Sequence, residues 1–313
     1  MTGVSSSLTN GIGQGPGWCC SYCSAPLTVQ AHGLYCAPEG RWFASLDGVH
    51  RLLPEERRRE LRPFLELYQR VRRDQGWRAE AGLPEVPADH PHAAIWKARA
   101  GRLQRGLELV AARLGPGPWR VLEVGAGCCW AALHLLEGGH QVVAVDVNLD
   151  PDDGLLAPNH TSRMARRLER AEADMEALPL EPAGFDLVLA AGSLHYPARS
   201  SRVLVELRRV TRRGGLLLVL DSPSFRRRPD GEAMVARRMR AQARRYAVLP
   251  PRESQSSYFV LGELPGLFER SGWRLEVQGW PGPLWERASD LIQILLHGRR
   301  GPRYPTLLGT RHG

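Results

Sequence analysis

The sequence predicts a doubly wound α/β domain, and three observations carry that prediction. The first is residues 119–130, Trp-Arg-Val-Leu-Glu-Val-Gly-Ala-Gly-Cys-Cys-Trp, where an apolar run ends near Glu123 and a helical pattern follows Gly125 and Gly127. Such a strand–turn–helix lets a ligand approach backbone that carries no Cβ, with a helix N-terminus facing it. The second is Gln141–Asp146, Gln-Val-Val-Ala-Val-Asp, an apolar strand ending in a carboxylate at the spacing from the glycines where such folds grip ribose hydroxyls. The third is the alternation downstream. Phe185–Ala190 reads as a strand, and Leu207–Leu220 as a helix, a Gly214-Gly215 turn and another strand. A dinucleotide fingerprint needs a third glycine at position 130, where close helix–strand packing excludes a side chain. That position is Trp130, which argues against nicotinamide and flavin.

Taken in order, these segments resemble the class I S-adenosylmethionine (SAM) dependent methyltransferases, of the quinone-biosynthesis type. Glu123-x-Gly125-x-Gly127 resembles their first motif, and Ala173-Asp-Met-Glu-Ala-Leu-Pro179 their third. Leu267–Trp273, followed by apolar runs near 274–279 and 290–297, resembles the helix and reversed strand pair that close the sheet. The resemblance covers roughly residues 115–298. It implies a mostly parallel, seven-stranded, Rossmann-like sheet and SAM contacts at Glu123, Gly125, Ala126, Gly127, Asp146, Val147, Asp174, Met175 and Ala191. Within that set it gives Asp174 to the adenine amine and Met175 to the ring face. Cys129 departs from the pattern, since many members carry glycine or another small residue there.

The chemistry of SAM suggests further roles. Amides at the start of the helix, near Cys128–Ala131, favour a ligand carboxylate. Glu123 is expected near the methionine amine or the turn backbone, and Asp146 suits the ribose diol. Plainer roles stand beside these: a turn-capping Asp146 and an N-capping Asp174.

Hydrophobic residues make up 43% of the 313 and charged residues 24%, the balance of a globular protein rather than a disordered chain. No run of 18 apolar residues appears, and the first 17 residues lack a signal-peptide layout, so a cytoplasmic chain without a membrane span is expected. The net charge of +9 rests almost wholly on arginine, Lys97 being the only lysine, and such skew looks more like coding bias than a phosphate-tracking surface.

Cys20-x2-Cys23-x12-Cys36 is the front of a zinc-ribbon pattern. With Trp42-Phe43 and Leu52-Leu53-Pro54 it resembles the short ribbon preceding some bacterial rRNA guanine methyltransferases. The fourth ligand breaks the pattern: Glu39 stands near its place, and Cys19 or His32 are substitutes. Structural zinc and a ribbon that has lost its metal are both open readings. Two helices follow. Glu55–Gln75 carries Leu61, Phe64, Leu65, Tyr68 and Val71 at helical spacing; after a Gly/Pro linker, His92–Leu114 offers Trp96 and Arg99 as ligand contacts or as core and surface.

On the acceptor side, His195 and Tyr196 follow the fourth strand, where family members point residues at the methyl acceptor. His195 is the candidate base, with Tyr196 orienting it; a packed histidine is the plain alternative. The insertion at about 222–264 holds a basic helix (Arg237, Arg238, Arg240, Arg244, Arg245) that meets an anionic acceptor or simply faces solvent. The expected organisation is a tail (1–17), a ribbon-like module (18–53), a helical cap (54–115), the SAM-dependent domain (116–299) and a second tail (300–313). Its function reads as methyl transfer to a small-molecule acceptor. An rRNA base methyltransferase and a non-catalytic protein retaining the fold are the rivals, and no oligomeric state follows.

Overall fold

A computed structural model describes residues 15–78, 83–247, 258–278 and 300–312. Four short strands come first: β1 (Thr28–Gln30), β2 (Gly33–Cys36), β3 (Arg41–Leu46) and β4 (Val49–Arg51). Pro54, with its φ preset and no N–H to lose, stands before helix α1 (Glu55–Asp74), whose first turn holds Glu55 and Glu56 and whose last holds Arg72 and Arg73. Helix α2 (Ala93–Leu114) ends at Gly115, φ 84°. The α/β part then runs β5 (Arg120–Val124), α3 (Trp130–Glu137), β6 (Gln141–Asp146), a short α4 (Pro158–Thr161), β7 (Glu169–Glu172), β8 (Phe185–Ala191), α5 (Ser200–Val210) and β9 (Thr211–Leu220). Past it lie β10 (Ser224–Phe225), α6 (Arg228–Tyr246), β11 (Phe259–Val260), α7 (Leu264–Arg270), β12 (Trp273–Gln278) and β13 (Thr306–Arg311).

The main sheet has eleven strands in the order β1-β2-β3-β4-β7-β6-β5-β8-β9-β13-β12. It is mixed. Strands β4 to β9 in that order are parallel, while β13 runs antiparallel to both neighbours. This corrects the expected seven-stranded, mostly parallel sheet: seven strands, β7 to β12 in the order above, form one part, and four from the amino-terminal segment extend the other edge. The cause is the open edge of β7. His50 and Arg51 of β4 pair with Ala171 and Glu172, and Leu52 N–H donates to Glu172 O at 3.1 Å, so main-chain groups that an edge strand leaves free are satisfied. Residues 18–53 therefore continue the sheet rather than stand apart.

A second correction concerns residues 300–313, expected as a tail. Thr306–Arg311 is the strand that pairs with both β9 and β12. Leu307 and Leu308 point to opposite faces and both are buried, and a Cβ on Gly309 would lie 3.2 Å from the Trp273 ring. The apolar run at 290–297 lies outside the described residues. Each face of the sheet has its own core: α5 and α7 cover one with Leu204, Leu207 and Phe268, α2 and α3 the other with Val110, Leu133 and Leu135. No helix among the described residues is long and apolar enough to cross a membrane.

Candidate active site

The parallel strands end together, and their carboxyl ends hold the expected residues. Gly125 (φ 65°) and Gly127 (φ 52°) take left-handed backbone after β5, and so does Cys129 (φ 59°), the residue preceding α3. At Gly125 glycine is required by space as well: a Cβ would lie 2.3 Å from Ser193 Cβ. Trp130, in place of a third glycine, turns its ring towards α2, 5.2 Å from the Trp96 ring, and donates its indole N–H to Pro84 O at 2.8 Å.

Asp146 closes the turn from the neighbouring strand. Its Oδ2 accepts Gly127 N–H at 2.7 Å and its Oδ1 accepts Asn148 N–H at 2.8 Å, the turn-capping role foreseen as the plain alternative. A carboxylate has about four lone-pair sites, so both oxygens retain capacity for a ligand hydroxyl. Burial pushes its pKa up to about 6, against the pull of the amides it binds. Glu123 lies deeper, with Oε2 accepting Ala132 N–H at 2.7 Å, and burial pushes its pKa up to about 8. The structure thus brings Glu123 to the backbone at the start of α3.

Two cavities share Gly125 and Tyr196. One, of about 530 Å³, is lined by Asp146, Val147, Asp174, Met175 and, from α1, Arg57 and Phe64. The other, of about 580 Å³, is lined by Glu123, Ala126, Gly127, Ala191, His195 and, from α2, Trp96 and Arg99. Together they form a trough across the carboxyl ends of β5, β6 and β8, where ligands of open α/β sheets sit. Asp174 is already engaged: Oδ2 accepts Arg57 Nε–H at 2.6 Å and Oδ1 accepts Glu176 N–H at 2.9 Å. Arg99 stands 4.7 Å over the Trp96 ring and donates to Asp221 Oδ2 at 3.1 Å; Arg102 holds the other oxygen of Asp221. Trp96 is 7% exposed and its indole N–H has no partner, a buried donor in the wall of the second cavity.

His195 is buried in that wall. Its Nδ1 lies 3.4 Å from Ser222 Oγ, and its ring centre is 4.4 Å from that of Tyr196. Burial, then Arg238 and Arg99, lower its pKa to about 3, so the imidazole is neutral at ordinary pH and a weak base.

Cys20, Cys23 and Cys36 meet in the amino-terminal segment, with all sulfurs within 4.8 Å of one another. Cys23 Sγ and Cys36 Sγ lie 3.5 Å apart, with Cys20 and Cys36 buried and Cys23 exposed. Cys19 is turned away, its Sγ 3.8 Å from Gly17 O, and neither it nor the Glu39 carboxylate joins the group. The proposed fourth ligands are therefore not brought in.

Sequence reasoning missed the roof. Helix α1 brings Arg57, Phe64, Tyr68 and Arg72 over the strand ends, where helical spacing alone places Phe64 and Tyr68 only on one face of a helix. It also missed Ser193 and Asp221. The sequence signal for α1 was a pair of aromatics at i, i+4 in an otherwise arginine-rich helix.

The fold, the glycine turn and the carboxylates at successive strand ends define the class, a Rossmann-like α/β domain with a ligand trough at its strand ends. More particularly, residues 122–219 match the family model described as methyltransferase domain. The chain is similar to the demethylmenaquinone methyltransferase of Mycobacterium bovis, 34% identical over 111 residues, 36% of this chain and 44% of that protein. It is also similar to the malonyl-[acyl-carrier protein] O-methyltransferase of Geobacter sulfurreducens, 33% identical over 132 residues, 41% and 49% of the two chains. The chain thus spans under half the length of these relatives. Among solved structures, a putative sarcosine dimethylglycine methyltransferase from Galdieria sulphuraria superposes with a TM-score of 0.51 at 14% identity, over 80% of this chain and 97% of that one. That likeness is one of fold.

Proposed function

We propose that this chain transfers a methyl group from SAM to a small-molecule acceptor. The observation that supports this reading most directly is the divided trough. Its first cavity offers Asp146 for ribose hydroxyls, Asp174 for the adenine amine and Met175 for the ring face. Its second offers the Trp96 indole N–H, otherwise without a partner, and the Arg99 guanidinium, both donors suited to a carboxylate, with the Glu123 carboxyl for a cation. One zwitterionic nucleoside of that length would satisfy both ends at once.

When bound, SAM supplies a methyl group already activated by the sulfonium charge, so positioning and exclusion of water carry most of the catalysis. Gly125 lets the chain pass close to the ligand at the junction, and Tyr196 walls both halves. Asp221 is a positioning residue, holding the head of Arg99 against the carbonyl of Ala191, which Nη2 reaches at 3.4 Å. Quinone and acyl-carrier-protein relatives favour neither the RNA-base reading nor a non-catalytic one.

The same proposal includes a structural zinc at Cys20, Cys23 and Cys36, the sulfur donor set such sites use. Calorimetry with SAM and with S-adenosylhomocysteine tests the main reading, and about one equivalent of each is expected to bind. Failure of both to bind the folded protein refutes it. Elemental analysis of protein purified under reducing conditions without chelator tests the metal, with about one zinc per chain expected and none refuting it.

A further inference from the structure

A third cavity, of about 290 Å³, lies between α1 and α6. Tyr196 lines it too, so it opens beside the junction of the other two, and Tyr68 and Arg72 also face the second. Its walls are aromatic. The rings of Phe64, Tyr68 and Tyr196 stand 5.7–6.2 Å apart in tilted and edge-on arrangements. Such walls take a flat ring into the remaining gap at little conformational cost.

Three arginines complete the lining, Arg72, Arg238 and Arg245, and no acidic side chain does so among the described residues. Arg72 is held by both oxygens of Asp153, at 2.5 and 2.8 Å, and Arg245 by Asp74 at 3.2 Å on the outer rim. Arg238 is half-buried, and its charge is felt by both His195 and Tyr196. Its neighbours on α6, Arg237, Arg240 and Arg244, are exposed, so the basic helix turns a single arginine of these four towards the site.

Resting on the methyltransferase reading, we infer that the acceptor is a planar aromatic anion, its ring seated among Phe64, Tyr68 and Tyr196 and its acidic group directed to Arg238. The arrangement selects on two properties together. A flat neutral ring forgoes the charge-assisted bond that a guanidinium offers an acid, and a charged aliphatic group leaves the aromatic walls unfilled.

The test uses the whole protein saturated with S-adenosylhomocysteine and three probes: 2-naphthoate, its neutral isostere 2-naphthamide, and cyclohexanecarboxylate. Calorimetry is expected to show 2-naphthoate binding at least about tenfold more tightly than either of the others. Arg238→Gln should remove the preference for naphthoate over naphthamide, Arg238→Lys should keep part of it, and Tyr68→Leu should weaken both aromatic probes alike. Affinity for S-adenosylhomocysteine should stay unchanged in both Arg238 variants, which also reports that they are folded. No binding of 2-naphthoate, equal affinity for acid and amide, or an undiminished preference in Arg238→Gln overturns the inference. If S-adenosylhomocysteine itself fails to bind, the methyltransferase reading falls; the naphthoate preference of the ligand-free protein then decides the pocket separately.

Discussion

Replacing Glu123 with glutamine tests whether the carboxyl behind the glycine turn stays protonated until a cation arrives. Glu123 is 2% exposed, and burial raises its pKa from 4.5 to about 8, partly offset by the Ala132 amide and Arg99. With a raised carboxyl pKa the folded state keeps a proton that the unfolded chain releases. Stability is therefore full below about pH 4.5 and is lost as pH climbs towards about 8. At about 1.4 kcal/mol per unit, the loss between pH 5 and 8 comes to about 3–4 kcal/mol from this residue alone. The glutamine side chain is neutral throughout and keeps an oxygen for Ala132 N–H. In urea unfolding of the ligand-free protein, Glu123→Gln should gain on the parent by roughly that amount as pH rises from 5 to 8. The neighbouring Asp146 carboxylate adds to the rise of the Glu123 pKa, and that repulsion is absent from the glutamine variant, so it is part of the difference. A cationic ligand favours the ionised carboxylate, so SAM affinity of the parent should rise over the same window more steeply than that of the variant. Identical pH dependence of unfolding in both proteins refutes the buried, protonated Glu123.

Three other substitutions read the rest of the site. Asp146→Ala should weaken SAM binding by about 3–6 kcal/mol, two charge-assisted bonds at ~1.5–3 each, as measured by calorimetry; an unchanged affinity removes the ribose assignment. Gly125→Val should abolish SAM binding and also lower the melting temperature, because its side chain meets Ser193 before it meets any ligand; a normal isotherm contradicts the turn geometry. His195→Ala should lower turnover by less than about tenfold, below the ~10²–10⁴ of a positioned base, and the parent's rate should show no ionisation of His195 above pH 5; a loss of 10³ with a titration near neutrality restores it as the base.

The parts of the fold that were legible obey simple periodicity. β5, β6 and β8 are apolar runs buried on both faces, and Gly125, Gly127 and Asp146 mark their ends. β7 was hidden for a chemical reason. Its sequence, Glu-Arg-Ala-Glu, reads as surface, yet Arg170 and Glu172 are both 2% exposed. Arg170 donates to Leu155 O at 2.6 Å and Asn159 Oδ1 at 2.8 Å, and Glu172 takes both nitrogens of an arginine from α1. Buried charges whose partners come from other segments leave no apolar pattern. β13 was hidden by length, since Leu307-Leu308 is too short an apolar run to mark a strand without its neighbours β9 and β12. Of the candidate site, the trough floor was visible in motifs. The roof was not, because nothing local in α1 says which loops it will cross.

What fixes that roof is a row of charges. Arg58 pairs with both oxygens of Glu172 at 3.0 and 2.8 Å, Arg57 with Asp174 at 2.6 Å, Gln69 with Asn148 at 2.8 Å, and Arg72 with Asp153 at 2.5 and 2.8 Å. Exposed ion pairs contribute little, about 0–1 kcal/mol each, but Glu172 and Asp153 are buried, and each is bound in a two-pronged geometry that a lysine would not supply. Without Glu172, Arg58 keeps only Glu55 and the Leu53 carbonyl on its own side of the contact, so these pairs are what tie α1 to the strand ends. The start of α1 is set by Pro54, two residues beyond the Leu52 bond to Glu172 that seats β4 on the sheet. The amino-terminal strands therefore act on the site without touching it. By occupying the edge of β7 they deliver α1 at the point from which Arg57, Phe64 and Tyr68 can reach the strand ends, and a metal held by Cys20, Cys23 and Cys36 would bear on the site both through that placement and through Ser21, which lies between the first two cysteines and lines the first cavity.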